Sequence, residues 1–187
     1  KFIYRGVFGT QKKGGLINNI FDLNFKNIAN THVIKLGNEL LALWEAAGPH
    51  ALDPNNLETI GLTTLQGVLK KNEAFSAHPK IDCNSKSASE VLVTFGVQTG
   101  PKSTIRLMEF SNSGENSGKL LFDRKDQLNG FAFLHDFAIT TNWAIFLQNA
   151  IDFNPIPFVM GKKGAAQCLT SSTKNLPSFS LSLEKVD

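Results

Sequence analysis

Two histidines carry the chemistry this chain suggests most strongly, and that chemistry is metal binding. His78 lies in Phe75-Ser76-Ala77-His78-Pro79-Lys80-Ile81-Asp82. His135 lies in Phe131-Ala132-Phe133-Leu134-His135-Asp136-Phe137-Ala138-Ile139-Thr140. Each run is apolar and strand-like. Imidazole is the commonest metal ligand, and a buried ring must find a partner for both nitrogens. Two rings from separate strands could therefore meet at one ion, although either alone is more often a core histidine donating to a backbone carbonyl. Pro79 biases His78 toward an extended backbone, which suits a ligand aimed at a fixed centre and equally an ordinary turn. Strand alternation puts Phe131, Phe133, His135, Phe137 and Ile139 on one face.

A carboxylate joins this set. In the strand predicted over residues 39–45, Leu41, Leu43 and Glu45 share a face. An unpaired carboxylate there would be costly. Either Glu45 sits at the strand end and reaches water, or it accepts the free N–H of a metal-bound imidazole and fixes the ring.

The elements that must position these groups are strands. Helical periodicity is scarce, and alternation with turn signals dominates. Residues 31–36 read as a strand, Gly37-Asn38 as a hairpin turn, residues 39–45 as the return strand, Asp53-Pro54-Asn55-Asn56 as a turn and residues 57–60 as a further strand. About four short strands in about thirty residues is the size of one propeller blade. The unit recurs loosely: strands over 90–95 and 104–110 around Gly100-Pro101, a polar loop over 111–118, a strand over 119–122, then a hairpin of 130–140 with 143–148. A sandwich or a barrel would leave similar signals. Residues 171–187 are Ser-rich and weakly patterned and read as a loose tail after a body of residues 1–170.

Composition narrows the function classes. A chain of 187 residues, 42% hydrophobic and 19% charged, holds one ordinary core and is not disordered. The formal charge of +3 is small and its Lys and Arg are scattered, which argues against a nucleic-acid partner. No apolar run is long enough to span a bilayer. Cys83 and Cys168 are too few for a disulfide framework, so reduced thiols in an intracellular protein are expected. Phenylalanine supplies 15 residues against one Tyr and two Trp, enough to line a greasy pocket as well as a core. The chain opens at Lys1 on a strand-like Phe2-Ile3-Tyr4 with no secretory signal, so a larger parent protein is expected. Gly161-Lys162-Lys163-Gly164 lacks the spacing of a phosphate loop, and there is no HExxH, CxxC or Gly-x-Ser-x-Gly pattern. His32 and His50 adjoin turns and read as rim or surface positions.

Taken together, several short segments resemble the carotenoid cleavage oxygenases, the family of retinal pigment epithelial membrane protein, apocarotenoid oxygenase and lignostilbene dioxygenase type. They are Gly9-Thr10-Gln11-Lys12, Lys26-Asn27-Ile28-Ala29-Asn30-Thr31, Leu41-Ala42-Leu43-Trp44-Glu45, Leu52-Asp53-Pro54 with Leu57-Glu58-Thr59, Phe75-Ser76-Ala77-His78-Pro79-Lys80, His135-Asp136-Phe137-Ala138-Ile139-Thr140 and Asn154-Pro155-Ile156-Pro157-Phe158. The resemblance runs to about residue 169. It implies an all-β fold, part of a seven-bladed β-propeller, with roughly the first half of the blades present. It implies one ferrous ion per complete propeller, held by four histidines. His78 and His135 match the first two, and Glu45 matches the glutamate that orients the second. It further implies a dioxygenase that uses O₂ to cleave a double bond of a carotenoid or apocarotenoid into carbonyl products, or, in one branch, an isomerase. The polyene would reach the metal by an apolar tunnel, with peripheral membrane contact in the complete protein. Phe131, Phe133 and Phe137 then become candidate tunnel walls, with core packing equally open to each.

The departures shape the expectation. No other histidine matches the third and fourth ligands, which lie downstream in the family, so the chain is expected to be an incomplete, inactive piece of an iron-dependent oxygenase. Plastid and cytoplasm are both open. The competing readings are a non-catalytic lipid- or carotenoid-binding β-protein, an inactive truncated gene product, or an unrelated β-sandwich whose histidines point to separate places.

Overall fold

The computed structural model describes residues 27–71, 73–84, 89–100, 102–160, 162–172 and 178–184. The expected opening strand at residues 2–4 and the segment Gly9-Thr10-Gln11-Lys12 lie outside them. The described residues divide into two compact units, one drawn from residues 29–149 with 178–184 and the other from residues 27–28 with 150–172.

The first of these units holds the histidines. Its opening sheet is an antiparallel meander of β1 (His32–Leu36), β2 (Glu39–Leu43), β3 (His50–Leu52) and β4 (Thr59–Leu62), ordered as in the chain. The β1–β2 turn has Gly37 at φ +61°, as a hairpin with Gly in its first central position requires. A Cβ there would also press on the Ser117 carbonyl, so two turns meet at this glycine. A second meander contains β5 (Lys80–Asn84), β6 (Ser89–Gln98), β7 (Thr104–Ser111) and β8 (Leu120–Gln127). Both sheets have the four-strand form of a propeller blade.

Strands β6 and β7 are buried on both faces, and their alternation feeds two cores. Val93, Phe95, Ile105 and Leu107 pack with Leu134, Phe137 and Phe146. Leu92, Met108 and Phe110 pack on the other side with Leu41, Leu43 and Phe75. The Phe137 and Phe146 rings stack at 5.3 Å, and Phe95 meets both edge-on at 5.1 and 5.0 Å. A third sheet runs β9 (Phe137–Ile139), β10 (Trp143–Gln148) and β13 (Ser178–Glu184), with β10 in the middle.

Three expectations change here. Strand β2 stops at Leu43, so Glu45 lies in a turn, not on a strand face. The long strand expected over 130–140 shrinks to Phe137–Ile139. Residues 131–136 are irregular because their backbone groups bond to single partners such as Ser103 Oγ, which accepts the Ala132 N–H at 2.9 Å, and not to a ladder. Finally, Ser178–Glu184 is a strand paired antiparallel with β10, where a loose tail was expected. A Ser-rich segment with alternating Phe179, Leu181 and Leu183 can join a ladder, since pairing needs only backbone groups.

The other unit contains β11 (Ile151–Phe153) paired with β12 (Leu169–Ser171), a short helix α1 (Pro155–Val159) and a 3-10 turn at Ala165–Cys168. Asn154 caps α1 by accepting the Ile156 N–H at 3.2 Å, and Pro155 occupies the first turn, where no donor is needed. Among the described residues no helix is long and apolar enough to cross a membrane.

Candidate metal centre

His78 is set by a chain of backbone anchors. The Ala47 carbonyl accepts the Phe75 N–H at 3.1 Å, and the Phe95 carbonyl accepts the Ser76 N–H at 2.6 Å. Gly96 has no side chain where the Ala74 carbonyl lies against β6; a Cβ would collide with it. Buried Ser76 then turns its hydroxyl to accept the His78 N–H at 3.0 Å, a serine turn closing two residues on. His32 Nδ1 bonds the Ala77 carbonyl at 3.1 Å. Pro79 follows, and β5 begins at Lys80. The imidazole thus leaves a segment held on both sides.

His135 comes from the irregular stretch before β9. Buried Ala132 and Leu134 anchor that stretch in the core, so the intervening Phe133 and His135 point outward. The ring is 56% exposed, unlike the core histidine that was the alternative to a metal ligand at this position. Glu45 reaches it from the turn after β2, where the Trp44 carbonyl accepts the Ala47 N–H at 3.2 Å.

These three side chains meet. The Nε2 atoms of His78 and His135, 57 positions apart, lie 3.1 Å from each other, with ring centroids at 4.6 Å and planes at 66°. Glu45 Oε1 lies 3.3 Å from His135 Nδ1, and its carboxylate is 18% exposed. An ionised carboxylate can only accept, so the proton sits on Nδ1. That tautomer leaves a lone pair at Nε2.

The pair fits a metal. Two nitrogens held at about 2.0–2.1 Å by one first-row ion stand roughly 2.8–3.4 Å apart at angles of about 90–110°. The observed 3.1 Å falls within that interval. Without an ion, the same distance suits an N–H···N bond from His78 Nε2 to His135 Nε2. Among the described residues no group of three or more His, Cys, Asp or Glu side chains comes together around an ion site. The described chain therefore offers two imidazoles and a carboxylate bonded to the second.

Neighbouring groups complete the surroundings. Lys80 Nζ pairs with Asp136 Oδ1 at 2.8 Å, and that oxygen also accepts the Phe137 N–H at 2.8 Å. Burial pushes the Asp136 carboxyl up. The Lys80 hydrogen bond, the Phe137 N–H and the positive charge of Lys80 outweigh it and hold the group below the usual range. Phe133 is exposed, Phe131 is half-buried, and Phe137 belongs to the core stack. His50 is half-buried with its Nδ1 enclosed. Cys83 is an exposed free thiol and Cys168 a buried one. Sequence reasoning missed Ser76 and the roles of Lys80, Asp136 and His32. The Ser-x-His spacing was a readable signal for Ser76. The contact of His32 with Ala77 spans 45 positions and left no signal.

Residues 1–180 match the family described as Retinal pigment epithelial membrane protein. The chain belongs to that family. This family member is 47% identical over 171 residues to the apocarotenoid-15,15'-oxygenase of Synechocystis, a match covering 90% of this chain and 34% of that enzyme. It is 33% identical over 125 residues to resveratrol cleavage oxygenase 1 of Aspergillus fumigatus, covering 67% of this chain and 24% of that one. Among solved structures, the cobalt-substituted Synechocystis apocarotenoid oxygenase superposes with a TM-score of 0.83 at 45% identity, covering 93% of this chain and 36% of that one. The chain thus spans about a third of the length of the first of these relatives.

Proposed function

We propose that this member of the family forms part of an iron(II)-dependent dioxygenase that cleaves one double bond of a carotenoid or apocarotenoid. Both oxygens of O₂ enter the two carbonyl products, so the reaction balances without a further reductant. The observation that carries the reading is the 3.1 Å approach of His78 Nε2 to His135 Nε2, with Glu45 on the far nitrogen of the second ring. Family membership and the printed names of the oxygenase relatives support it. The cobalt-substituted relative supports a metal in that protein.

In this reading His78 and His135 bind iron through Nε2, and further ligands come from parts of the protein beyond this chain. The iron, when bound, supplies the site where O₂ is activated. Glu45 keeps the His135 proton on Nδ1, so the Nε2 lone pair stays aimed at the ion. His78 must present a lone pair too, so its proton moves from Nε2 to Nδ1 or to solvent when an ion binds. Exposed Phe133 and half-buried Phe131, near His135 in the chain, are the candidate apolar surface for a polyene. The meanders β1–β4 and β5–β8 are early blades of a seven-bladed propeller, and this chain alone is inactive for want of ligands. The complete protein works inside the cell and meets its apolar substrate by peripheral membrane contact.

The test uses the full-length protein. His135→Ala should lose bound iron by elemental analysis and lose polyene cleavage by chromatography. Native iron content in His135→Ala would refute the assignment. An iron-free native protein that binds polyenes without cleaving them would establish the carrier reading instead.

A further inference from the structure

His78 and His135 belong to different sheets. His78 leads into β5 of the second meander, and His135 into β9 of the third sheet. No ladder of backbone hydrogen bonds joins β5 to β9. Register between strands of one sheet is fixed by that ladder. Between these two segments it must be fixed by side chains. Phe95 of β6 packs on Phe137 in the shared core, and next to the histidines Lys80 also reaches across, two positions beyond His78 and thus on the same side of an extended segment that Pro79 stiffens. Its ammonium pairs with Asp136, the residue after His135, at 2.8 Å. It also lies 5.8 Å from the Phe137 ring centroid, within cation–π range. Phe137 is held in the core, and its N–H holds the same Asp136 oxygen. One ammonium therefore grips two consecutive residues of the other histidine's segment.

We infer that Lys80 and Asp136 are positioning residues: an ion-pair clip between sheets that sets the spacing of the His78 and His135 imidazoles. This rests on the metal-site reading above. The pair is open to solvent, with side chains 33% and 51% exposed, so its contribution to global stability is small. Its effect is local. A ligand pair tolerates little change in its nitrogen spacing, so loss of the clip loosens metal binding while the fold persists.

The experiment is Ni²⁺ titration of this chain by calorimetry, with His78→Ala and His135→Ala to define binding by the imidazole pair. Lys80→Met and Asp136→Asn should each weaken that binding roughly tenfold, as groups that orient ligands do. Lys80→Arg should restore it, and thermal midpoints should stay near native. Binding within twofold of native in both Lys80→Met and Asp136→Asn would overturn the clip. If Ni²⁺ binding ignores His78→Ala and His135→Ala, the metal reading is what fails. The clip is then judged without metal, from the nuclear Overhauser contact between the two rings. Its loss in Lys80→Met and Asp136→Asn, with return in Lys80→Arg, supports the clip, and its persistence in both overturns it.

Discussion

Replacing Glu45 tests the orienting carboxylate most directly. Glu45 Oε1 stands 3.3 Å from His135 Nδ1. A hydrogen bond to a charged group contributes about 1.5–3 kcal/mol, and one between neutral groups about 0.5–1.5 kcal/mol. Charge-assisted N–H···O bonds are usually about 2.7–2.9 Å long. The longer contact here and the exposed His135 ring place this bond at the weak end of its class. Glu45→Gln keeps an acceptor and loses the charge, so metal affinity should fall by about 1 kcal/mol, roughly fivefold. Glu45→Leu removes the acceptor and frees the ring to rotate. Its loss should reach at least about tenfold, the lower bound for groups that orient ligands. The assay is chelator competition for iron in the full-length protein, with near-ultraviolet circular dichroism to verify the fold. The order native, Gln, Leu is the expected result. Native affinity in both variants would show that the contact does not orient His135, and equal large losses with a collapsed spectrum would show that Glu45 serves folding instead.

Acid should destabilise the fold through one network on β7 and β8. Arg106 is buried and pairs with Asp123 at 2.7 Å and Glu73 at 2.7 Å, and it donates to the Val68 carbonyl at 3.0 Å. The Arg106 hydrogen bond holds the Asp123 carboxyl below its ordinary 3.8, against the upward push of burial. Glu73 is pushed up by burial but held below its ordinary 4.5 by the Lys70 N–H, Lys125 and Arg106. Both folded values lie below the unfolded ones, so the stabilisation is complete above about pH 5 and fades as pH drops through the folded values. Urea midpoints measured from pH 6 to 2.5 should fall in the native chain and fall less steeply in Arg106→Met; parallel curves would exclude this origin. Gly96→Ala should cost about 1–3 kcal/mol in the same assay, because a Cβ collides with the Ala74 carbonyl and forces β6 away from the segment leading to His78. A native midpoint would mean that this approach relaxes freely.

Much of this fold follows from local pattern. Alternation over residues 39–43 and 104–111, and Gly37 at a φ of +61°, are properties of short stretches whose turns and strands form from neighbours. The same local logic failed at residues 131–136. Their alternation is real, with Ala132 and Leu134 buried, but an alternating burial pattern does not supply a partner strand. Nor does one face stay inward: His135 is exposed while Phe137, two residues on, is buried. The strand Ser178–Glu184 was hidden for the converse reason: its partner β10 is about thirty residues away in sequence, and backbone pairing asks little of side-chain type.

By itself, the order of residues determined the chemical types available, two imidazoles in apolar runs and a carboxylate two residues past β2, together with most of the strands around them. Only the tertiary structure decided that these groups meet. Contacts spanning 57 and 90 positions depend on how separate sheets stack, and stacking is set by core packing among residues such as Phe95, Phe137 and Phe146. Lys80 and Asp136 owe their partnership to that same stacking. No local window of sequence contains it, because the free energy that fixes it comes from side chains brought together across the whole unit.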